Sequence, residues 1–290
     1  MLAFEGVSFS YPGALRPALE DINLTLSPGE FVVIMGANGS GKSTLVRLAN
    51  GLLRPTKGRV SVEGWDTAAD EHLPHIRPLV GMVFQDPDNQ LVAATVEEDV
   101  AFGPENLGLA PEAIRRRVEE ALSTLDLAEL RQRPPHRLSG GQKQKAALAG
   151  ILAMEPRYVL LDEATAMLDP ASREEVWSIV SSLCRKKGLG IILVTHLPEE
   201  AALADRVVIL HRGRILREGK PREIFSRPEE LTTLGLEAPV AAVLAGRLAR
   251  RGLPLPPGLL TPREVALALR ELAEKRPPDT RRKAGRRRRG

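Results

Sequence analysis

Cysteine is almost missing from this 290-residue chain. Cys184 stands alone, which excludes an internal disulfide and fits a reducing compartment. It reads as a buried small apolar residue. Aromatic side chains make up only 3%, so any aromatic near a site carries information. No apolar run reaches the roughly 18–20 residues needed to span a bilayer. The first residues, MLAFEGVSFSYPG, lack the basic-then-apolar layout of a signal peptide. These absences predict a cytoplasmic location. Internal repeats are also missing, as is any heptad run long enough for a coiled coil.

What remains is ordinary for a globular protein, with 43% hydrophobic and 27% charged residues, enough for one large core plus an appendage. The net charge of +4 is unevenly placed. Residues 276–290, RPPDTRRKAGRRRRG, carry eight Arg or Lys and one Asp; removing that +7 from +4 leaves −3 for residues 1–275. The body is mildly acidic, so no specific nucleic-acid partner is expected. The basic tail is read as disordered, with anionic lipid, RNA or no partner at all as its open options.

Short apolar runs alternate with helical patterns, which points to an α/β fold. FVVIM (31–35) reads as a buried strand entering a glycine loop, and TLVRLANGLL has helical spacing. GRVSVEG (58–64) alternates like an edge strand, and VGMVFQ (80–85) is another short buried run. A helix-rich block follows over roughly 95–135, with Pro near the start of PEAIRRRVEEALSTLDL. YVLLDEA (158–164) and IILVTH (191–196) read as strands ending in polar residues, and residues 205–219 as a hairpin turning at Arg212 and Gly213. Beyond about residue 226, apolar and Pro-rich helical segments form a small C-terminal extension.

GANGSGKST (36–44) fits the phosphate-loop pattern, with Gly36, Gly41, Lys42 and Ser43 in register between a strand and a helix. Gly36, Ala37, Asn38, Gly39, Ser40 and Gly41 present backbone N–H groups to phosphate at a helix N-terminus. Lys42 is assigned to the β- and γ-phosphates, Ser43 to Mg²⁺, and Thr44 to the same cradle. Asp162, emerging from a buried strand, is the second Mg²⁺ group. Glu163 beside it is placed to polarise a water for in-line attack on the γ-phosphate. Alone, an Asp-Glu pair after a strand is more often a solvated turn; with the phosphate loop it points to hydrolysis. Gln85 and His196 end predicted strands at the same sheet edge. Gln85 can ligate Mg²⁺ and contact the attacking water, and His196 can bond the γ-phosphate. Tyr11 is a candidate to stack on adenine, with core packing as the plainer role.

A second glycine-rich segment, LSGGQ (138–142), raises a question, since one nucleotide needs only one cradle. Ser139 has the character of an N-cap, Gly140 and Gly141 leave the first turn bare, and a good helix former follows Gln142. Lying in the separate helical block, this helix end is not expected to reach its own chain's nucleotide. Two-fold symmetry solves the problem: each subunit offers LSGGQ to the ATP held by the other.

The ordered set of Tyr11, GANGSGKST, Gln85, LSGGQ, YVLLDEA, Asp169 in MLDP, and His196 resembles the ATP-binding cassette (ABC) ATPases over residues 2–225. The resemblance implies a P-loop NTPase core with an N-terminal antiparallel β-subdomain and a helical subdomain over about 86–157, leaving the small helical extension over 226–275 outside it. It implies ATP and Mg²⁺ as ligands. It also implies that Asp169 lies in the loop crossing a dimer interface, and that Gln85 opens the loop sensing a membrane partner. FQDPDNQLVAATVEEDVAFGPENLGL (84–109), LSGGQKQKAALAGILAMEP (138–156), DEATAMLDP (162–170) and LGLEAPVAAVLAGRLARRGLPLP (234–256) are similar to one branch, the energy-coupling factor transporters for vitamins and metal ions. That branch implies a second ATPase, usually a paralogue, a membrane scaffold subunit, a separate substrate-binding membrane subunit, and a place on the cytoplasmic face of the membrane.

Three other readings compete. A single-ATPase cobalt or nickel importer more often has P-T-A-G-L where this chain has Ala164, Thr165, Ala166, Met167 and Leu168. A soluble ABC protein acting on ribosomes or DNA has only the basic tail in its favour. A P-loop kinase or GTPase is opposed by LSGGQ and by the Asp162–Glu163 pair.

Overall fold

Large apolar side chains alternate face by face along the central strands, and this alternation sets the layers of the molecule. The computed structural model describes residues 1–166 and 168–275, so Met167 and the basic tail of residues 276–290 lie outside the described residues. Six strands form one sheet in the order β10-β9-β3-β8-β7-β6. They are β3 (Phe31–Met35), β6 (Val80–Val83), β7 (Tyr158–Asp162), β8 (Gly190–Thr195), β9 (Arg206–His211) and β10 (Arg214–Gly219). All pairings are parallel except that of β9 with β10, the expected hairpin. Near-continuous burial of FVVIM, YVLLD and GIILVT is what a parallel sheet covered on both faces requires.

Within β3, Phe31, Val33 and Met35 join one core while Val32 and Ile34 join the other. The second core is shared with α1 (Lys42–Ala49) and an antiparallel sheet ordered β2-β1-β4-β5. Its strands are β1 (Leu2–Phe9), β2 (Leu19–Leu26), β4 (Lys57–Val62) and β5 (Trp65–Asp66). The stretch 58–64, expected as an edge strand, is internal: β4 lies between β1 and β5, pairing Leu2 with Val62 on one side and Val62 with Trp65 on the other. β5 is only two residues long, so the alternation of β4 looks edge-like in sequence.

α2 (Leu73–Ile76) closes that layer. The first core takes in α3 (Val96–Asn106), α4 (Pro111–Thr124), α5 (Gly140–Ala153) and α6 (Pro170–Lys187). α3 starts on a Thr95–Glu98 capping box, and α6 ends at left-handed Gly188 after Arg185, Lys186 and Lys187, where cations face the helix C-terminus. α7 (Pro198–Ala201), α8 (Pro221–Ile224), α9 (Pro228–Thr233), α10 (Val240–Arg250) and α11 (Pro262–Lys275) complete the described chain. α10 and α11 bury a small core of their own, including Ala241, Ala245, Leu255, Leu259 and Val265. No helix among the described residues is long and apolar enough to cross a membrane.

Candidate functional site

The loop between β3 and α1 folds tightly because two of its glycines have no room for a side chain. A Cβ on Gly36 would stand 2.4 Å from Leu210 O and 2.4 Å from Ser40 Oγ. Gly41 sits at φ +105°, and a Cβ there would meet Ala18 O at 2.6 Å. The loop is fastened by Ser40 N donating to Ala37 O (3.1 Å) and Gly213 N donating to Ser40 O (3.0 Å). The hairpin turn thus holds the cradle in place.

Lys42 is 5% exposed, and its ammonium donates to Gly36 O at 2.8 Å and Ala37 O at 3.2 Å. Burial pushes its pKa down, while Glu163 and Asp162 pull it back up. Ser43 Oγ donates to Asp162 Oδ1 at 2.9 Å. Burial of the Asp162 carboxyl raises its pKa, opposed by the Ser43 hydrogen bond and by Arg47. A hydroxyl and a carboxylate at this spacing are hard oxygen donors of the kind Mg²⁺ takes beside phosphates. Ser40 Oγ is buried without a hydrogen-bond partner among the described residues. The cradle and these donors therefore fit a Mg²⁺–nucleotide.

Glu163 turns sharply off β7, with φ at +51° and its N–H donating to Val194 O at 3.0 Å. Its carboxylate faces three other groups. Gln85 Nε2 donates to Glu163 Oε2 at 3.2 Å, His196 Nδ1 stands 3.9 Å from the same oxygen, and Lys42 Nζ lies 3.9 Å from Oε1. Gln85 does not end a strand, as the run VGMVFQ suggested. β6 stops at Val83 because Phe84 N bonds Gln90 Oε1 (3.2 Å) instead of a neighbouring strand. His196 follows β8 directly. A cleft of about 440 Å³, lined by Tyr11, Asn38, Lys42, Ser43, Gln85 and Glu163 among others, opens here. That volume is in the range of small-molecule sites. Tyr11 stands at its rim, edge-on to Phe9 (4.9 Å, 88°) with its hydroxyl 3.1 Å from Thr44 Oγ1.

The second cradle is built separately. Ser139 Oγ accepts from Gln142 N (3.3 Å), and Gln142 Oε1 accepts from Ser139 N (3.0 Å), a complete capping box on α5. Ser139 and Gly140 are exposed and do not line the cleft. Gly141 packs within its own chain, its Cβ position 3.2 Å from Ser172 Oγ. Asp169 is the N-cap of α6: Oδ1 accepts from Ala171 N and Ser172 N (both 3.1 Å) and Oδ2 from Ser172 Oγ (2.6 Å). The Ser172 hydroxyl leads in holding this carboxyl below its ordinary pKa. The side chains of Gln142 and Asp169 are thus engaged in shaping helix starts.

Motif reading passes over several neighbours. Arg47 stabilises the Asp162 charge, and Lys143 on α5 pairs with Asp88 (2.5 Å) in the loop after Gln85. Beside that loop runs a groove of about 200 Å³ lined by Gln90, Leu91, Phe102, Ile151 and Met154 among others, with Phe102 54% exposed. Nothing in the local sequence of these residues marks them, since their roles arise from tertiary packing.

The family described as "ABC transporter" matches residues 19–166. The chain is 50% identical over 264 residues to the energy-coupling factor transporter ATP-binding protein EcfA1 of Caldanaerobacter subterraneus subsp. tengcongensis, covering 90% of this chain and 95% of that one. It is 51% identical over 275 residues to the EcfA1 of Symbiobacterium thermophilum, covering 92% and 96%. Among solved structures, cbiO1 from Clostridium perfringens, described as part of the ABC transporter complex cbiONQ, superposes with a TM-score of 0.72 at 37% identity, covering 81% of this chain and 94% of that one. The ATP-binding cassette MJ0796, solved as a dimer in a post-hydrolysis state with ADP and Pi, superposes at 0.71 and 32% identity, covering 77% and 99%.

Proposed function

The chain belongs to the ABC transporter ATPases, and on that premise we propose that it powers an energy-coupling factor importer of vitamins or transition-metal ions as one half of a head-to-tail ATPase dimer. The observation that carries the reading is the convergence of Gln85, His196 and Lys42 on the Glu163 carboxylate, one residue from the Asp162–Ser43 pair. ATP lies in the cradle of residues 36–44, its adenine against Tyr11. Glu163 Oε2 takes the proton of the attacking water, which Gln85 orients from the same oxygen, while His196 bonds the γ-phosphate. Ser43, Asp162 and Gln85 hold Mg²⁺, which when bound neutralises charge on the phosphate oxygens. Lys42 turns from the loop carbonyls to the β- and γ-phosphates.

Ser139, Gly140, Gly141 and Gln142 present the bare N-terminus of α5 to the ATP of the other subunit, and Asp169 shapes the loop that crosses between them. ATP binds the closed dimer better than the open one, and hydrolysis reverses the bias. The other ATPase is a paralogue, or a second copy of this chain. The groove beside Phe102 and the Gln85 loop takes a coupling helix of a membrane scaffold subunit, and a separate membrane subunit binds substrate. This places the protein peripherally on the cytoplasmic face of the membrane. Residues 2–225 form the nucleotide-binding domain, with the helical subdomain over about 86–157 and the extension over 226–275.

A single-ATPase importer is the second reading, favoured by the likeness to cbiO1, which is described as part of cbiONQ. Glu163→Gln tests the chemistry common to both. In the intact transporter complex, ATP hydrolysis should fall by about 10²–10⁴-fold, the range for loss of a general base, while ATP-dependent subunit association persists. Hydrolysis at the wild-type rate would remove Glu163 as the base.

A further inference from the structure

Glu200 lies on α7, four residues beyond His196, and is 1% exposed. Its Oε1 accepts from Thr165 Oγ1 at 2.5 Å and from Trp177 Nε1 at 3.1 Å, and Arg173 Nε stands 3.8 Å away. Arg173 also donates to Thr165 O (3.3 Å) and Leu168 O (2.9 Å). Trp177 is held from its other side by stacking on Phe31 at the start of β3 (5.8 Å, 23°). One buried carboxylate therefore joins α6, α7 and the loop after β7. Withdrawing a carboxylate from water costs several kcal/mol unless partners offset it, so an apolar side chain would serve packing alone better.

The elements it joins carry the reactive groups. The Thr165 loop begins at Glu163 and ends at Asp169, while α7 follows His196 after a single residue, Leu197, whose N–H bonds Thr195 Oγ1 (3.0 Å). The 3.9 Å approach of His196 to Glu163 is an approach of these two loops. We propose that Glu200 is a positioning residue for ATP hydrolysis, holding the Glu163–Asp169 loop in register with His196 through Thr165, Arg173 and Trp177. The proposal rests on Glu163 acting as the base.

The test is steady-state ATP hydrolysis by the full transporter complex, measured across ATP concentrations. Glu200→Ala should lower kcat by about 10–100-fold, since a misplacement of about 1 Å in a reacting group costs up to ~10²-fold. KM for ATP should stay within about two-fold, because the polar contacts of Glu200 do not include the phosphate loop. Glu200→Gln keeps an oxygen for Thr165 and Trp177 and should return kcat to within about three-fold of wild type. Thr165→Val should lower kcat by itself and add nothing on top of Glu200→Ala, because the two changes break the same bond. Wild-type kcat per folded complex in Glu200→Ala, or an equal loss in Glu200→Gln, overturns the proposal. If Glu200→Ala does not fold, Thr165→Val at wild-type kcat overturns it equally. Glu163→Gln run in parallel separates the two ideas. Wild-type turnover there sinks the assignment of the base, whereas its inactivity beside normal Glu200→Ala and Thr165→Val enzymes sinks this proposal alone.

Discussion

Gly140→Ala separates what the α5 N-terminus does for its own chain from what it does for a neighbour. A Cβ at Gly140 meets no described atom within 4 Å, and its backbone is outside the left-handed region that favours glycine. Sterically the fold is indifferent to the methyl group. Replacing Gly by Ala in a helix is worth up to about 1 kcal/mol in favour of the helix, and less at this first position. At about 2–4 °C per kcal/mol for a chain of this size, Tm should be unchanged or up by about 1–2 °C. Yet the methyl projects from the one turn that would cover the partner's γ-phosphate, where close backbone approach is the reason for glycine. ATP hydrolysis by the assembled complex should fall by about ten-fold or more, toward the roughly 10²–10³-fold lost with one preorganised donor to a reacting oxyanion. Differential scanning fluorimetry and a phosphate-release assay on the same preparation decide it. A variant that melts normally and hydrolyses ATP at the wild-type rate would refute the trans role of this helix end. A large fall in Tm would refute the claim that the site is open.

Lys42→Ala removes the ammonium assigned to the β- and γ-phosphates, and ATP affinity should fall by about 10–100-fold, read by fluorescent-nucleotide titration. Unaltered affinity would contradict the assignment. Asp162→Asn relieves a buried carboxylate whose pKa burial has raised, and its amide oxygen can still accept from Ser43. Without nucleotide or Mg²⁺ it should melt no lower than wild type while losing Mg²⁺-dependent hydrolysis; a fall of several degrees would show that the charge stabilises the fold. Glu63 binds the Met1 ammonium, Tyr158 Oη (2.5 Å) and Arg157 (3.4 Å), and the first two lead in lowering its pKa. A depressed carboxylate stabilises the fold above its ordinary value of 4.5 and loses that contribution as pH falls through the folded value. Glu63→Gln should therefore cost about 1–2 kcal/mol near neutral pH, and the gap should close on acidification below 4.5; a pH-independent gap would count against the pairing.

The phosphate loop was legible in sequence because its parts are contiguous: strand, glycines, Lys42 and Ser43 all fall within residues 31–43. Asp162 and Glu163 were legible for the same reason, since a buried strand ends on them. The cores of β3, β7 and β8 were equally plain, because unbroken apolar runs leave a parallel strand few other places to go. Strand ends were not. The apolar run VGMVFQ carries on to Gln85, but Gln90, five residues on, draws the Phe84 N–H out of the sheet. β4 has the alternation of an edge strand because its outer neighbour is two residues long. LSGGQ and MLDP are visible as motifs, but that the side chains of Gln142 and Asp169 cap α5 and α6 emerges only in the structure. Glu200 was invisible. Its partners Thr165, Arg173 and Trp177 lie 23 to 35 residues away, a separation that only the packed fold closes.

Purification of the tagged chain from detergent-solubilised native membranes, with mass spectrometry of whatever accompanies it, reads out the transporter assembly itself. A second, distinct ABC ATPase should co-purify together with a scaffold subunit and small membrane subunits whose identity points to the cargo. Recovery with membrane subunits and no second ATPase would replace it with a homodimeric importer. Ribosomal proteins or DNA in place of any membrane protein would contradict the transporter reading altogether.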